Sequence, residues 1–298
     1  MLVRPFIQFA LLMSLLALAA QAAAQDDLLA LLGEEEPQVE YATAGFKTNR
    51  VINLHSFENT AQGVLDVKIS HRFGFVNGGF SELFGLDAAT IRIGADYGIT
   101  TDLQVGFGRS SYEKTYDGYL KYRFLRQSTG AKKVPVTAAL FASTAVKTIP
   151  WQNPDRENYF TSRLYYTWQL ILGRKFSESF SFQVSPTVVH RNLVRTTSEE
   201  NDVIAIGFAA RQKLNKRISI NAEYIHVLPN QLADGYVNSF SIGFDIETGG
   251  HVFQLHFTNS TSMIEKGFIT ENTGRWNDGG IHFGFNVSRV FTVVKPRF

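Results

Sequence analysis

The chain has no cysteine at any of its 298 positions, so disulfides, thiol nucleophiles and thiolate metal sites are excluded. A lipoprotein-type lipid anchor, which needs a cysteine after an export signal, is excluded with them. An excess of one charge is also missing: 29 basic residues stand against 27 acidic ones, for a formal charge of +2. That balance gives no basis for a nucleic-acid partner, whose phosphates would call for a clear basic excess. Beyond the first two dozen residues no apolar run reaches the roughly 18 residues that a membrane helix needs. Yet 44% of residues are hydrophobic, with 25 Phe and 11 Tyr, so much apolar surface must be kept from water. Two ways of doing so remain: the core of a soluble β-sandwich, or a barrel wall facing lipid.

The first residues carry a targeting pattern. Arg4 supplies a basic start, Phe6 to Ala20 is an apolar run broken by Gln8 and Ser14, and Ala22-Ala23-Ala24 before Gln25 fits a small-residue cleavage site. Residues 1–24 therefore read as an export signal, 25–62 as a periplasmic leader or plug, and 63–298 as the folded body. In the middle segment "DDLLALLGEEEPQ" is read as a mobile periplasmic leader, with one or two helical turns ended by Pro37 as the alternative, since so short a helix is marginal alone. "FKTNRVINLHSFENTAQG" alternates at Val51, Asn53 and His55, consistent with an extra strand, a lumen plug or a cap.

From Val64 onward the pattern is period two. In "VLDVKISHRFGF", Leu65, Val67, Ile69, Phe73 and Phe75 share one face, and Asp66, Lys68, Ser70 and Arg72 the other. The same alternation recurs through "ATIRIGADYG", "DLQVGFGR", "YLKYRFLR" and onward to "GIHFGFNV", giving about twelve strands near the length of a tilted membrane strand. Connections after even strands are mostly tight ("GITT", "KLNKR", "TGG"), while those after odd strands are long ("VNGGFSELFGLD", "TIPWQNPDRENYF", "STSMIEKGFITENTGRWNDG"). A soluble sandwich has no reason to keep that parity. An all-β transmembrane antiparallel up-and-down barrel does, with short periplasmic turns and long extracellular loops.

The two faces suit two solvents. Leu164, Tyr166, Trp168, Leu170 and Leu172 suit lipid, whereas Arg163, Tyr165, Thr167 and Gln169 suit a wet interior. Tyr97, Tyr122 and Tyr224 also fall outward, where interfacial girdles use aromatics. Gly94, Gly106, Gly108, Gly207, Gly243 and Gly284 fall inward, where a missing side chain leaves room for a large neighbour. Pro186 cannot donate to a ladder and predicts a bulge or local irregularity. The apolar residues Met263, Ile264, Phe268 and Ile269 predict that the last long loop folds inward or onto a neighbouring loop. The closing strand "GGIHFGFNVSRVFTVVKPRF" runs to Phe298, an aromatic terminus of the kind barrel assembly reads, although Pro296 interrupts pairing before it.

The stretches "GVLDVKISHRFG", "ELFGLDAATIRIGADYGIT", "GRSSYEKTYDGYLKYRFLRQSTG", "SIGFDIETGGHVFQLHFTNSTSMIEKGFIT" and "GGIHFGFNVSRVFT" resemble a family of Gram-negative β-barrel proteins known as a domain of unknown function. The likeness spans about Gly45 to Val294. It implies an outer-membrane barrel and brings no catalytic residues.

Function is then read from the inward face. Lys68, Arg72, Arg92, Lys121, Arg123, Arg163, Arg191 and Arg211 are expected to line the lumen, with Asp66, Asp96, Glu223, Asp245 and Glu247 opposing them. The cationic excess predicts a narrow channel for small solutes with modest anion preference. The alternative is a closed structural or adaptor barrel in which these charges pair off. A rim hydrolase is less supported: His256 and His282 fall a diagonal step apart on neighbouring strands, but no triad accompanies them. No cofactor or metal is expected. Outer-membrane lipid and the barrel-assembly machinery are the expected partners, small solutes the expected cargo, and the oligomeric state is not fixed by the sequence.

Overall fold

The structure is a computed structural model and describes residues 38–197 and 199–295. The expected export signal, the first part of the expected leader and Phe298 lie outside the described residues. The chain divides into two compact units, residues 1–40 with 129–133, and residues 41–128 with 134–298. In the described part of the smaller one, the Ala131 amide donates to the Gln38 carbonyl at 3.2 Å and the Thr129 hydroxyl to the Glu40 carboxylate at 3.4 Å.

The larger unit is a closed antiparallel barrel of 12 strands. They are β1 (Val64–Phe75), β2 (Ala89–Gly98), β3 (Leu103–Ser110), β4 (Thr115–Leu125), β5 (Thr137–Lys147) and β6 (Leu164–Lys175), followed by β7 (Phe180–Arg191), β8 (Asp202–Lys213), β9 (Ile218–Val227), β10 (Phe240–Thr248), β11 (His251–Thr258) and β12 (His282–Thr292). Each strand pairs with its sequence neighbours, and β12 closes on β1 with Val287 opposite Ile69 and Asn286 opposite Ser70. Closure is the physical requirement here, since lipid offers no partner to an unpaired backbone group. Short turns sit at one end and long loops at the other, and the last long loop carries a one-turn helix α1 (Glu265–Thr270) that is wholly buried.

Alternation along each strand separates the faces. On β6, Tyr165, Thr167, Gln169 and Ile171 are buried, while Trp168 and Leu172 are exposed. The outer wall presents Ile69, Ile93, Phe107, Leu120, Leu140 and Phe244, among others. The register shifts lie between His282 and Gly284 and between Arg123 and Leu125. At Pro186 there is no shift: the β6–β7 ladder lapses between Gln169/Thr187 and Leu172/Val184 and resumes in the same register. Pro186 still faces Ile206 on β8. The ring thus removes a donor without displacing the strand.

Ile93 lies near the middle of β2, opposite Ile69, and is 55% exposed on the outer wall. Ile93→Arg should therefore cost about 2–4 kcal/mol of folding in a bilayer, whereas Ile93→Leu should be close to neutral. Urea titration of the heat-modifiable gel band in lipid vesicles measures both, and equal midpoints would show that this position does not meet lipid.

Candidate functional site: a hairpin seated in the lumen

The interior of the barrel is packed. Residues 44–62 enter it as a hairpin: the Val51 amide donates to the Leu54 carbonyl at 2.7 Å, Arg50 bridges His55, and the Ser56 amide donates to the Asn49 carbonyl at 3.0 Å. Val51, Ile52, Asn53, Leu54, His55 and Ser56 are all at most 2% exposed. A buried turn of this kind has backbone groups to satisfy, and its own ladder is too short to do it.

Side chains of the wall satisfy them instead. The Glu223 carboxylate on β9 accepts the amides of Ile52, Asn53 and Leu54 at 3.2, 2.9 and 3.0 Å. Gln254 on β11 donates to the Val51 carbonyl at 2.8 Å, and Asn286 on β12 to the Ile52 carbonyl at 3.2 Å. Gln183 on β7 holds both the Phe57 amide (3.0 Å) and the His55 carbonyl (2.7 Å), while Gln104 on β3 accepts the Thr60 amide at 2.7 Å. Cations hold the other carbonyls: Lys121 Nζ donates to Ser56 (3.0 Å) and Glu58 (2.6 Å), and Arg211 Nη1 to Ala44 (2.8 Å) and Gly45 (3.0 Å). Lys68 reaches the Asn49 side chain, and Arg72 Nη2 the Asn53 side-chain oxygen at 3.0 Å. Charge-assisted bonds of this sort are the stronger class of hydrogen bond. Apolar contacts finish the seat, with Phe46 against Phe57 at 5.2 Å between ring centroids and the Phe57 ring lying over Gly173. A side chain at 173 would occupy the space of that ring.

The other inward charges are partnered on the wall, most of them by an opposite charge. Arg92 forks onto Asp117, its Nε donating at 2.9 Å, and its guanidinium lies across Gly94 and Gly108, where a Cβ would collide with it. Lys68 also faces Asp96 at 3.5 Å and Asp66 at 3.6 Å. Arg123 sits by a short turn, its Nε donating to Asp102 at 3.0 Å and Nη2 to the Thr101 carbonyl at 2.8 Å. Arg191 donates to Glu199 at 2.9 Å, and Asp245 accepts from Gln254 at 2.8 Å. Such pairing is what keeps charges tolerable away from water.

Arg163 has a different position. The chain makes a 3₁₀ turn over Phe160–Arg163 before β6 begins, so Arg163 stands at the loop base. It donates to the Lys147 and Ile149 carbonyls at 2.9 and 2.6 Å and stacks 3.8 Å over Trp151. The two histidines are also separated in role. His282 is fixed between the Phe73 carbonyl (2.7 Å) and the Thr261 hydroxyl (2.8 Å), while both ring nitrogens of buried His256 lack a protein partner. Among the described residues no cluster of three or more His, Asp or Glu is arranged to hold a metal.

From the long-loop end, α1 meets the hairpin. Its first residue, Glu265, lies 3.3 Å from Arg50 and 3.4 Å from His55. Lys266 is bound to Glu113 at 2.7 Å and Glu271 at 2.5 Å, and Glu113 is shared with Lys147 at 2.5 Å. Burial alone would raise the Glu113 carboxyl, but Lys266 and Lys147 outweigh it and hold the group below the ordinary carboxylate value. Burial would likewise lower Lys266, but Glu271 and Glu113 outweigh it and hold the ammonium above its ordinary value.

These directions set a pH window. A depressed carboxyl stabilises the loop above its ordinary value of 4.5 and loses that contribution as pH falls through the folded-state value. A raised ammonium contributes below its ordinary 10.5 and loses its contribution as pH rises through the folded-state value. Amide exchange over residues 263–272, corrected for its intrinsic pH dependence, should be slow at neutral pH and faster in acid. Glu113→Gln should be fast at both. An acid response that survives Glu113→Gln would place the titration elsewhere.

The family model for a membrane-bound β-barrel domain (DUF5777) matches residues 46–291. Among solved structures, NanC porin is 8% identical with a TM-score of 0.47, covering 76% of this chain and 98% of its own. Omp33, an outer membrane protein of Acinetobacter baumannii, is 11% identical with a TM-score of 0.41, covering 76% of this chain and 97% of its own. No curated protein matches the chain.

Proposed function

The chain belongs to the membrane-bound β-barrel domain family DUF5777, and we propose that it is an outer-membrane barrel stoppered by its own hairpin, passing small solutes, anions preferentially, once the hairpin leaves. The observation that carries this reading is the seating of three consecutive hairpin amides on the single carboxylate of Glu223. A turn held through backbone groups by polar side chains can be released and reseated, because water can replace each partner. An interior sealed by apolar packing alone has no such exchange.

Selectivity follows from what the hairpin leaves behind. Lys68, Arg72, Lys121 and Arg211 all spend donors on hairpin atoms. Without it they face the bore, and basic side chains in a narrow low-dielectric passage favour anions over cations. A second reading, a permanently closed structural barrel, is favoured by α1, which stands over the hairpin from the opposite end. Full-length protein in planar bilayers should show no steady conductance under either reading, and a steady pore would overturn closure. Removal of the hairpin separates the two.

A further inference from the structure

The long-loop mouth holds a cleft of about 190 Å³ that the hairpin does not enter. Its wall includes Lys147, Arg156, Arg163, Arg191 and Arg195, set against Glu199 and Glu271. Five formal positive charges against two negative leave an excess of three. Adding the two groups next to the wall, Glu113 and Lys266, leaves that excess unchanged. The imbalance is local, since the whole chain carries only +2.

The cations are differently committed. Arg191 is occupied by Glu199 and the Glu200 carbonyl. Arg163 is held rigidly by two carbonyls and the Trp151 face, so its guanidinium is pre-positioned at little further entropic cost. Arg195 is 55% exposed and reaches Glu113 only at 3.9 Å, beyond hydrogen-bond length. Lys147 shares Glu113 with the buried Lys266.

We infer that this cleft binds a small multiply charged oxyanion, bearing carboxylates or a phosphate, between Arg163, Arg195 and Lys147. Guanidinium forks match carboxylate and phosphate oxygens in the same planar geometry, which is why the shared chemistry is an oxyanion. A concave, charge-unbalanced site focuses the field of its cations on a ligand inside it. The inference does not rest on release of the hairpin, because the cleft is complete with the hairpin seated.

Calorimetric titration of full-length protein in detergent at low salt tests it with two probes, citrate and glycerol phosphate, and with glycerol as the neutral control. One or both anions should bind, more weakly as salt is raised, and glycerol should not. The anion that binds more tightly identifies carboxylate or phosphate as the preferred source. Arg163→Gln and Arg195→Gln should each lower affinity about tenfold, the loss expected of one charge-assisted contact of roughly 1.4 kcal/mol. Arg109→Gln, on the outer wall, should change nothing. Failure of both anions to bind, or binding unaffected by either cleft substitution, overturns the inference.

Discussion

Deleting residues 44–60 should turn a silent barrel into a conducting one whose reversal potential under a salt gradient reports anion preference. The deletion removes the acceptors of Lys121 and Arg211 and the amides held by Glu223, while leaving every barrel strand intact. It also strips Glu265 of Arg50, and so releases α1 from its inner contact. The bore and its mouth then present Lys68, Arg72, Arg92, Lys121, Arg123, Arg191, Arg211 and Lys266 against Asp66, Asp96, Asp117, Glu199, Glu223, Asp245 and Glu265, all of them buried in the closed form, a cationic excess of one. A cation-selective current would remove the selectivity claim. No current from a deletion that still shows the heat-modifiable shift of a folded barrel would favour the permanently closed structure.

The second large effect is expected at Glu223. Glu223→Leu leaves the amides of Ile52, Asn53 and Leu54 without an acceptor in a dry site, at about 1–3 kcal/mol for each buried orphan. The hairpin tip, not the barrel, should absorb that loss. Amide exchange at residues 52–54 should accelerate by orders of magnitude, and bilayer recordings should show intermittent openings. Glu223→Gln keeps one accepting oxygen and should fall between. Unchanged protection at 52–54 in the leucine variant would show that the tip is held by something other than this carboxylate.

The barrel was legible in the sequence because each strand separates lipid from interior, and that division writes period two into every strand, as in Leu65–Phe75. The charged face was only partly legible. Reading strand four from Tyr119 put Asp117 in a loop, but the strand begins at Thr115, and Asp117 turns out to be the partner of Arg92. Reading Arg163 as a continuation of the β6 alternation missed the 3₁₀ turn that ends the loop there.

The hairpin was harder still. Its alternation at Val51, Asn53 and His55 fits several roles, and what fixes its place is Glu223, 170 residues away from Asn53 in sequence. No local pattern carries that pairing. Gln104, Gln183, Gln254 and Asn286 were missed for a related reason, since uncharged inward residues look alike until the backbone they hold is known.

The seating of the hairpin can be tested by a single cross-link. The Cγ of Phe57 lies 3.0 Å from where a Cβ at Gly173 would be, so the two Cβ atoms stand within about 4.5 Å, inside disulfide range. Phe57→Cys with Gly173→Cys, in a chain with no other cysteine, should oxidise to an intramolecular disulfide in folded protein in the membrane. The chain closed into a loop over residues 57–173 should then run faster than the reduced form on a denaturing gel. If the barrel folds, both thiols remain free under oxidant and both react with a water-soluble maleimide, the hairpin does not occupy the lumen.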